Sequence, residues 1–443
     1  MRSLAVVSLG CDKNRVDTER MVYLLTSAGY GLTPDLAAAE VILINTCAFI
    51  EPARVEAVDA VIEAGRYKKD GKCRKLLVAG CLPQKYKTEI AADLPEVDAF
   101  LTAADYDGIV SALARLYGEP EPAASAAPVN NCPYGRFLTT PPHYAYLKIA
   151  DGCDNKCAYC TIPSIRGPYR SRDIQSLVDE AQSLADGGVR ELILVAQDVT
   201  RYGADLNGEY GLIDLLRRLS RLPITRIRLM YCYPELVTDG LIREIDSNPK
   251  IAKYIDIPLQ HVSDSVLKRM NRKSTRKSIE ALLAKIRAAN NYISVRTTLM
   301  TGFPGETEDD FAEMCDFLRL HKPDNVGFFA YSDEEDAPAY RLPDKIDEDE
   351  KRRRLGILGE LHLANAREAG KKAVGKTLAV LYEDIDFDKN MFVGRTEYNA
   401  PEIDSRVYFT GGFADAGREY DVLITGYNDY DLTGEMATNE SAD

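Results

Sequence analysis

Cys153, Cys157 and Cys160 stand four and three residues apart in the segment Asp151-Gly152-Cys153-Asp154-Asn155-Lys156-Cys157-Ala158-Tyr159-Cys160. Thiolates at those spacings can wrap one small iron-sulfur cluster from a single loop, and three ligands leave one iron open. An open iron is what reductive cleavage of a bound sulfonium needs, because the amino and carboxylate groups of such a molecule can chelate it. A structural zinc site is the competing reading. Such sites close with four ligands, and no histidine or fourth cysteine lies nearby; only Cys132 or Cys232 could be recruited from a distance.

Cys11, Cys47 and Cys81 form a second set, each just beyond an expected strand, in the contexts Ser8-Leu9-Gly10-Cys11, Asn45-Thr46-Cys47-Ala48 and Ala79-Gly80-Cys81-Leu82. Parallel strands deliver their C-terminal ends to one sheet edge, so three distant thiols can converge there. Glycine beside two of them allows the backbone to approach a bulky inorganic group. On residue type alone, buried free cysteine stays an equal alternative for this set. Cys73, Cys132, Cys232 and Cys315 match no ligand motif, and Cys315 falls within a helical pattern. None of these four is expected to be a ligand.

The elements that must position these residues follow from apolar periodicity. A chain of 443 residues is too long for one ordinary core, and 45% hydrophobic content is that of a folded protein. From Ser3 to Leu9, Val41 to Asn45 and Leu76 to Ala79 the sequence reads as buried parallel strands, followed by helical stretches such as Val16 to Ala28 and Arg54 to Tyr67. Residues 1–117 are therefore expected to form a three-layer α/β domain. Residues 118–142, rich in Pro, Ala, Asn and Ser, read as a linker. Between 143 and 374 six strand candidates begin at Tyr146, Glu191, Arg226, Tyr254, Ser294 and Asn325 and alternate with helices, the pattern of a partial (βα)6 barrel with its chemistry at the strand C-terminal ends. Residues 375–443 carry short β-rich runs between Gly, Asp and Asn, as in a small antiparallel β-barrel. Ten cysteines without a secretory segment argue against a disulfide framework. No apolar run approaches the roughly 20 residues that span a bilayer, and a cytoplasmic location is expected.

The C-x3-C-x2-C pattern after the first barrel strand resembles the radical S-adenosylmethionine superfamily. The runs Ser8-Leu9-Gly10-Cys11-Asp12-Lys13-Asn14, Asn45-Thr46-Cys47-Ala48-Phe49-Ile50 and Gly80-Cys81-Leu82 resemble the N-terminal motifs of the methylthiotransferases, whose final domain, the TRAM barrel, matches the last segment in place and size. The resemblance covers nearly the whole chain. It implies two 4Fe-4S clusters, one on Cys153, Cys157 and Cys160 and one on Cys11, Cys47 and Cys81, with S-adenosylmethionine as cosubstrate. By the same resemblance Tyr159 lies against the adenine, and Gln260 and Arg296 contact S-adenosylmethionine. For Asp198 and His261 pocket contact and loop capping stay open. The turn Gly302 to Gly305 is not a phosphate loop, because it lacks the Lys-Ser/Thr continuation. Radical chemistry then places a methylthio group on a substrate carbon. The electron donor, the sulfur donor and the oligomeric state are not readable from the sequence.

Related methylthiotransferases modify either a transfer RNA adenosine, at C2, or an amino-acid side chain of a ribosomal protein. From Lys376 onward there are five basic residues, Lys376, Lys389, Arg395, Arg406 and Arg418, against fifteen acidic ones. A field of that sign repels phosphates and steers a basic protein, so nucleic acid is not the expected direct ligand. The segments Cys47-Ala48-Phe49-Ile50-Glu51-Pro52-Ala53 and Tyr331-Ser332-Asp333-Glu334-Glu335 resemble the branch that modifies an aspartate of the twelfth small-subunit ribosomal protein, with Asp12 in place of the proline usual there. A non-catalytic iron-sulfur scaffold is the alternative of another class.

Overall fold

In the computed structural model, residues 1–86, 89–120, 135–207 and 211–437 are described. Cys132 and much of the expected linker lie outside them. The N-terminal sheet has five parallel strands, β1 (Ser3–Ser8), β2 (Gly31–Leu32), β3 (Val41–Thr46), β4 (Lys75–Gly80) and β5 (Ala99–Thr102), ordered β2-β1-β3-β4-β5. Alternation along β3 explains its unbroken apolar run. Val41 and Leu43 pack with Met21 and Leu25 of the helix Asp12–Ser27, while Ile42 and Ile44 pack with Ala57 and Val61 of the helix Glu51–Asp70 on the other face. Three layers result, as expected.

The central unit holds β6 (Tyr144–Lys148), a short ribbon of β7 (Ala150–Asp151) and β8 (Arg170–Ser171), then β9 (Glu191–Val195), β10 (Arg226–Leu229), β11 (Tyr254–Gln260), β12 (Ser294–Thr301) and β13 (Asn325–Ala330). The six long strands form two parallel three-stranded sheets, β6-β9-β10 and β11-β12-β13, which meet where β10 runs beside β11. Leu192, Leu194, Ile227, Ile255, Ile257 and Val295 join the helical layer in the main core. Tyr146, Ile193 and Tyr254 belong to a separate inner cluster. This is the expected six-unit partial barrel.

The long helix Glu348–Ala373 leads into β14 (Thr377–Asp386), β15 (Met391–Arg395), β16 (Val407–Thr410), β17 (Glu419–Asn428) and β18 (Asp431–Met436), a closed barrel ordered β14-β15-β16-β18-β17. Its pairs are antiparallel except β16 with β18, which runs parallel. The loop after β15 closes the base of the central barrel. Arg228 donates to the Glu397 carbonyl at 2.9 Å, Ser294 to the Tyr398 carbonyl at 3.0 Å, and the Tyr254 hydroxyl to Asp404 at 2.8 Å. The base being filled, the opposite end of the strands is left for chemistry.

Candidate active site

Cys153 to Cys160 leave the barrel directly after β7. Gly152 makes that exit possible: its φ is +77°, and a side-chain carbon there would overlap the Pro168 carbonyl oxygen. Cys153 N–H donates to the Gly167 carbonyl at 3.0 Å and Ala158 N–H to the Met270 carbonyl at 2.9 Å, so the loop is pinned at both ends. Burial pushes the Cys153 thiol up to about 11 and the Cys160 thiol up to about 12, with the neighbouring thiols adding to the effect. One buried arginine stands against this set. Arg272 Nη1 lies 3.9 Å from Cys157 Sγ, its guanidinium stacks 4.1 Å from the Tyr233 ring centroid, and the Tyr233 hydroxyl is 3.8 Å from the same sulfur. Arg272 Nε is buried without a hydrogen-bond partner, one donor still to be used.

The other set is assembled from three strand ends sewn together by side chains. Asn14 Nδ2 donates to the carbonyls of Leu9 (3.0 Å) and Thr46 (2.9 Å), Asn45 Nδ2 to the Asn14 carbonyl (2.8 Å), and Thr46 Oγ1 to the Ala79 carbonyl (2.6 Å). These bonds join the ends of β1, β3 and β4, where Cys11, Cys47 and Cys81 emerge. Gly10 (φ +89°) and Gly80 (φ +97°) both precede a cysteine in a conformation that disfavours side chains, and a side-chain carbon on Gly10 would sit 2.8 Å from Cys47 Cβ. Cys81 is buried and its thiol is pushed up to about 11 by burial, with Cys47 and Cys11 both within charge reach; burial also raises Cys47. Cys11 is exposed.

Arg166, from the barrel segment after Cys160, reaches this second set. Its Nη2 donates to Asn14 Oδ1 at 2.6 Å and lies 3.6 Å from Cys81 Sγ, while Nη1 donates to Asp17 at 2.7 Å and to Asp151 at 3.2 Å. Lys148 pairs with the same two aspartates. Thr161 also reaches the Phe49 carbonyl at 3.5 Å. Glu334, in the run Tyr331-Ser332-Asp333-Glu334-Glu335, accepts from Glu51 N–H at 2.8 Å, from Lys85 at 3.3 Å and from Arg54. The N-terminal unit and the segment that carries the other triad are therefore tied together at a junction held by buried charge.

Both donor sets suit an iron-sulfur cluster. Each offers three thiols, a flanking arginine to offset thiolate charge, and glycine where the backbone must approach closely. Among the described residues no three His, Cys, Asp or Glu side chains close on a point that would hold a single ion; corner ligands of a four-iron cluster stand further apart than that.

The remaining expected residues separate. Tyr159 is half-buried, packed against Val266, Met270 and Phe303, with its hydroxyl facing Cys157. Gln260, with φ +72°, sits at a register break at the end of β11, a strained backbone of the kind found at binding sites. Arg296 departs from the expectation. It is only the third residue of β12, and its guanidinium is taken up by Asp256 and Asp404, both at 3.2 Å, rather than left open for a cosubstrate carboxylate. Asp198 accepts from Thr200 and from Asn155 inside the cluster loop, and His261 Nδ1 accepts from Ser263 N–H, so both cap loops. Burial holds the His261 imidazole neutral, at about 3. Cys73, Cys232 and Cys315 are buried free thiols. Arg166 and Arg272 are not singled out by the sequence, and Glu334 enters it only within the run Tyr331 to Glu335, without its partners; the conspicuous Arg166-Gly167-Pro168 after the last ligand is the signal available for the first. A cleft of about 780 Å³, lined by Tyr292, Asp324, His362, Tyr398 and Tyr430, lies away from both triads, between the base of the barrel and the C-terminal unit.

Residues 147–318 match the family model of the radical SAM superfamily, residues 3–102 that of the uncharacterized protein family UPF0004, and residues 374–437 that of the TRAM domain. In fold, the chain is similar to the radical S-adenosylmethionine methyltransferase TsrM from Kitasatospora setae, at TM-score 0.55 and 13% identity over 76% of this chain and 74% of that one. It is 43% identical to the ribosomal protein uS12 methylthiotransferase RimO of Trichlorobacter lovleyi over 98% of both chains. It is 44% identical to that of Heliobacterium modesticaldum over 97% of this chain and 94% of the other. With this identity along nearly its full length, and with all three family models matched in order, the chain belongs to the radical S-adenosylmethionine methylthiotransferases of the ribosomal protein uS12 branch, enzymes that use S-adenosylmethionine and two 4Fe-4S clusters.

Proposed function

We propose that this enzyme attaches a methylthio group to the β-carbon of an aspartate in ribosomal protein uS12. In this reading Cys153, Cys157 and Cys160 hold the radical-forming cluster and Cys11, Cys47 and Cys81 hold the second. The observation that carries the reading is the junction, where Arg166 of the barrel segment lies on Cys81 while Asp151, its partner, adjoins the loop of Cys153. When bound, the barrel cluster would pass an electron from an outside donor to S-adenosylmethionine, yielding a carbon radical able to take hydrogen from an unactivated C–H bond, and the N-terminal cluster would hold the sulfur, methylated by another S-adenosylmethionine, that takes its place. The chain's own residues do the rest. Arg272 and Arg166 offset thiolate charge in a site with little water, where it counts most. Gln260 and Tyr159 contact S-adenosylmethionine at the strand ends.

The TRAM barrel receives the ribosomal protein. Asp384, Asp386 and Asp388 stand at the end of β14 around Phe387, which is 85% exposed, and Phe413, on the loop that follows β16 two strands along the barrel, is 87% exposed. Acidic groups around exposed aromatic rings fit a basic protein partner better than a phosphate backbone. Binding weakens as salt rises, and transfer RNA is not modified.

Iron analysis of anaerobically reconstituted protein tests the cluster assignment. We expect roughly eight irons per chain, halved by replacing either cysteine triad with alanine. The Cys11/Cys47/Cys81 variant should still release 5′-deoxyadenosine while making no methylthiolated product. A wild-type count of four irons would remove the two-triad assignment. Mass spectrometry of uS12 peptides beside digested transfer RNA tests the substrate: a methylthio gain on adenosine with none on aspartate overturns it.

A further inference from the structure

The geometry points to Lys13 as the residue that binds the carboxylate of the target aspartate and so selects it; we infer this on the strength of the substrate reading above. Lys13 is two residues from Cys11, in the first turn of the helix Asp12–Ser27, and its side chain is 9% exposed. Its ammonium lies 3.4 Å from the centroid of the Tyr231 ring and 3.2 Å from Asp12. The Tyr231 hydroxyl donates to the same Asp12 oxygen at 3.2 Å, and Tyr231 N–H donates to Asp256 at 2.9 Å. Tyr231 holds φ +58°, an unusual conformation for an aromatic residue, at the end of β10. Lys13 is thus fixed where the N-terminal helix faces the mouth of the barrel, beside the most exposed cysteine of its triad.

The cations that line the barrel differ in what they have left to give. Arg296 is shared by Asp256 and Asp404, and Lys148 by Asp17 and Asp151; Arg228 and Arg272 each keep one unpartnered nitrogen, but Arg228 is held at the Glu397 carbonyl at the base of the barrel and Arg272 against Cys157. An ammonium has three donors. Lys13 is ion-paired with the Asp12 carboxylate and sits over an aromatic ring, so donors remain for an incoming anion. The helix N-terminus adds partial positive charge at the same place, against the repulsion of Asp12. The chemistry of the substrate supplies that anion. An aspartate β-carbon carries its carboxylate one bond away, so a carbon brought up to sulfur near Cys11 brings its carboxylate toward Lys13. An adenine carbon brings no such charge. Lys13 is therefore a substrate-binding residue that separates the two substrate classes as well as aspartate from asparagine.

The test compares uS12 carrying its target aspartate with uS12 carrying asparagine there, bound to reconstituted wild-type, Lys13→Gln and Lys13→Arg enzymes without reductant. Wild type should prefer the aspartate form by roughly tenfold or more, as for a hydrogen bond to a charged group. Lys13→Gln should bring that ratio close to one, with the electron paramagnetic resonance signal of the N-terminal cluster unchanged. Lys13→Arg should give an intermediate ratio, and it decides the matter if Lys13→Gln fails to hold its cluster. A wild type with no preference, or a ratio that neither substitution alters, overturns the role of Lys13. Methylthiolation of the aspartate form by wild type is measured in parallel: its absence overturns the substrate reading, while its presence with an unaltered ratio overturns Lys13 alone.

Discussion

Cys153, Cys157 and Cys160 come from one loop, whereas Cys11, Cys47 and Cys81 are gathered from three strand ends by Asn14, Asn45 and Thr46. The arginines repeat the contrast. Arg272, beside Cys157, is fixed within the barrel by the Pro258 carbonyl at 2.8 Å and by Tyr233. Arg166, beside Cys81, belongs to the barrel segment and reaches out of it. A site built from one loop is held by groups of its own unit, here the Gly167 and Met270 carbonyls, Arg272 and Tyr233. A site built from strand ends and completed by a neighbouring unit exists only while the two units are docked, so the second triad reports on the junction and the first does not.

Glycine gives the harshest way to break the comparison. Gly152→Ala and Gly80→Ala each set a side chain at positive φ against backbone atoms, Pro168 in one case and Thr46 in the other. The strain is on the order of 3 kcal/mol before any clash is relieved. Each should cost half the iron. Gly152→Ala should also abolish 5′-deoxyadenosine formation, and Gly80→Ala should spare it; equal loss of 5′-deoxyadenosine in both would show that the triads do not divide the work as argued.

The arginines sharpen it further. Arg166→Gln leaves Asp17 and Asp151 short of a buried partner, which costs roughly 3 kcal/mol at the junction. It also removes a cation from the N-terminal cluster. Read in a Cys153/Cys157/Cys160→Ala background, the midpoint of that cluster should fall by about 59 mV or more, a tenfold change for one electron. Arg272→Gln, read in the opposite background, should lower only the barrel cluster. Redox titrations in which Arg166→Gln leaves the N-terminal midpoint in place, with iron retained, would reduce Arg166 to a structural tie.

Much of this was legible beforehand, for reasons that can be named. The cysteines announce themselves by spacing and by glycine, and the barrel strands by their regular alternation with helices, most plainly β6 and β9, which are buried on both faces. β2 and β5 were missed because one has two residues and the other is a half-buried edge. Arg166, Arg272 and Glu334 act across the fold, and a lone charged residue in a chain with 55 Lys and Arg carries no mark of its partner. Arg296 misled for the same reason: its strand could be read, but not that Asp404 would arrive from the last unit. Part of the acid excess of that unit is spent internally. Glu383 accepts from Arg395, Glu402 from Arg15, Glu419 from Arg226 and Asp429 from Arg367, and beside Phe387 Asp386 pairs with Lys389 at 3.1 Å, so the field offered to a partner is smaller than the sum suggests.

The smallest expected effect tests the residue that stands between the triads. Asp151 accepts from Gly152 N–H at 2.9 Å, on the loop of Cys153, and from Arg166, on the side of Cys81. Burial works against its charge, but Lys148 and Arg166 hold its carboxyl down to about 2, below the ordinary 3.8. A carboxyl lowered on folding stabilises the protein above its unfolded value, and that contribution is lost as pH falls through the folded one. The difference is worth ~2 kcal/mol. Asp151→Asn should therefore lower the urea stability of the apoprotein by about that amount at pH 7 and at pH 5, and the gap from wild type should close between about pH 4 and pH 2. A gap that persists unchanged through this range would mean that asparagine fails by shape or hydrogen bonding, and that the charge of Asp151 does not join the two sites.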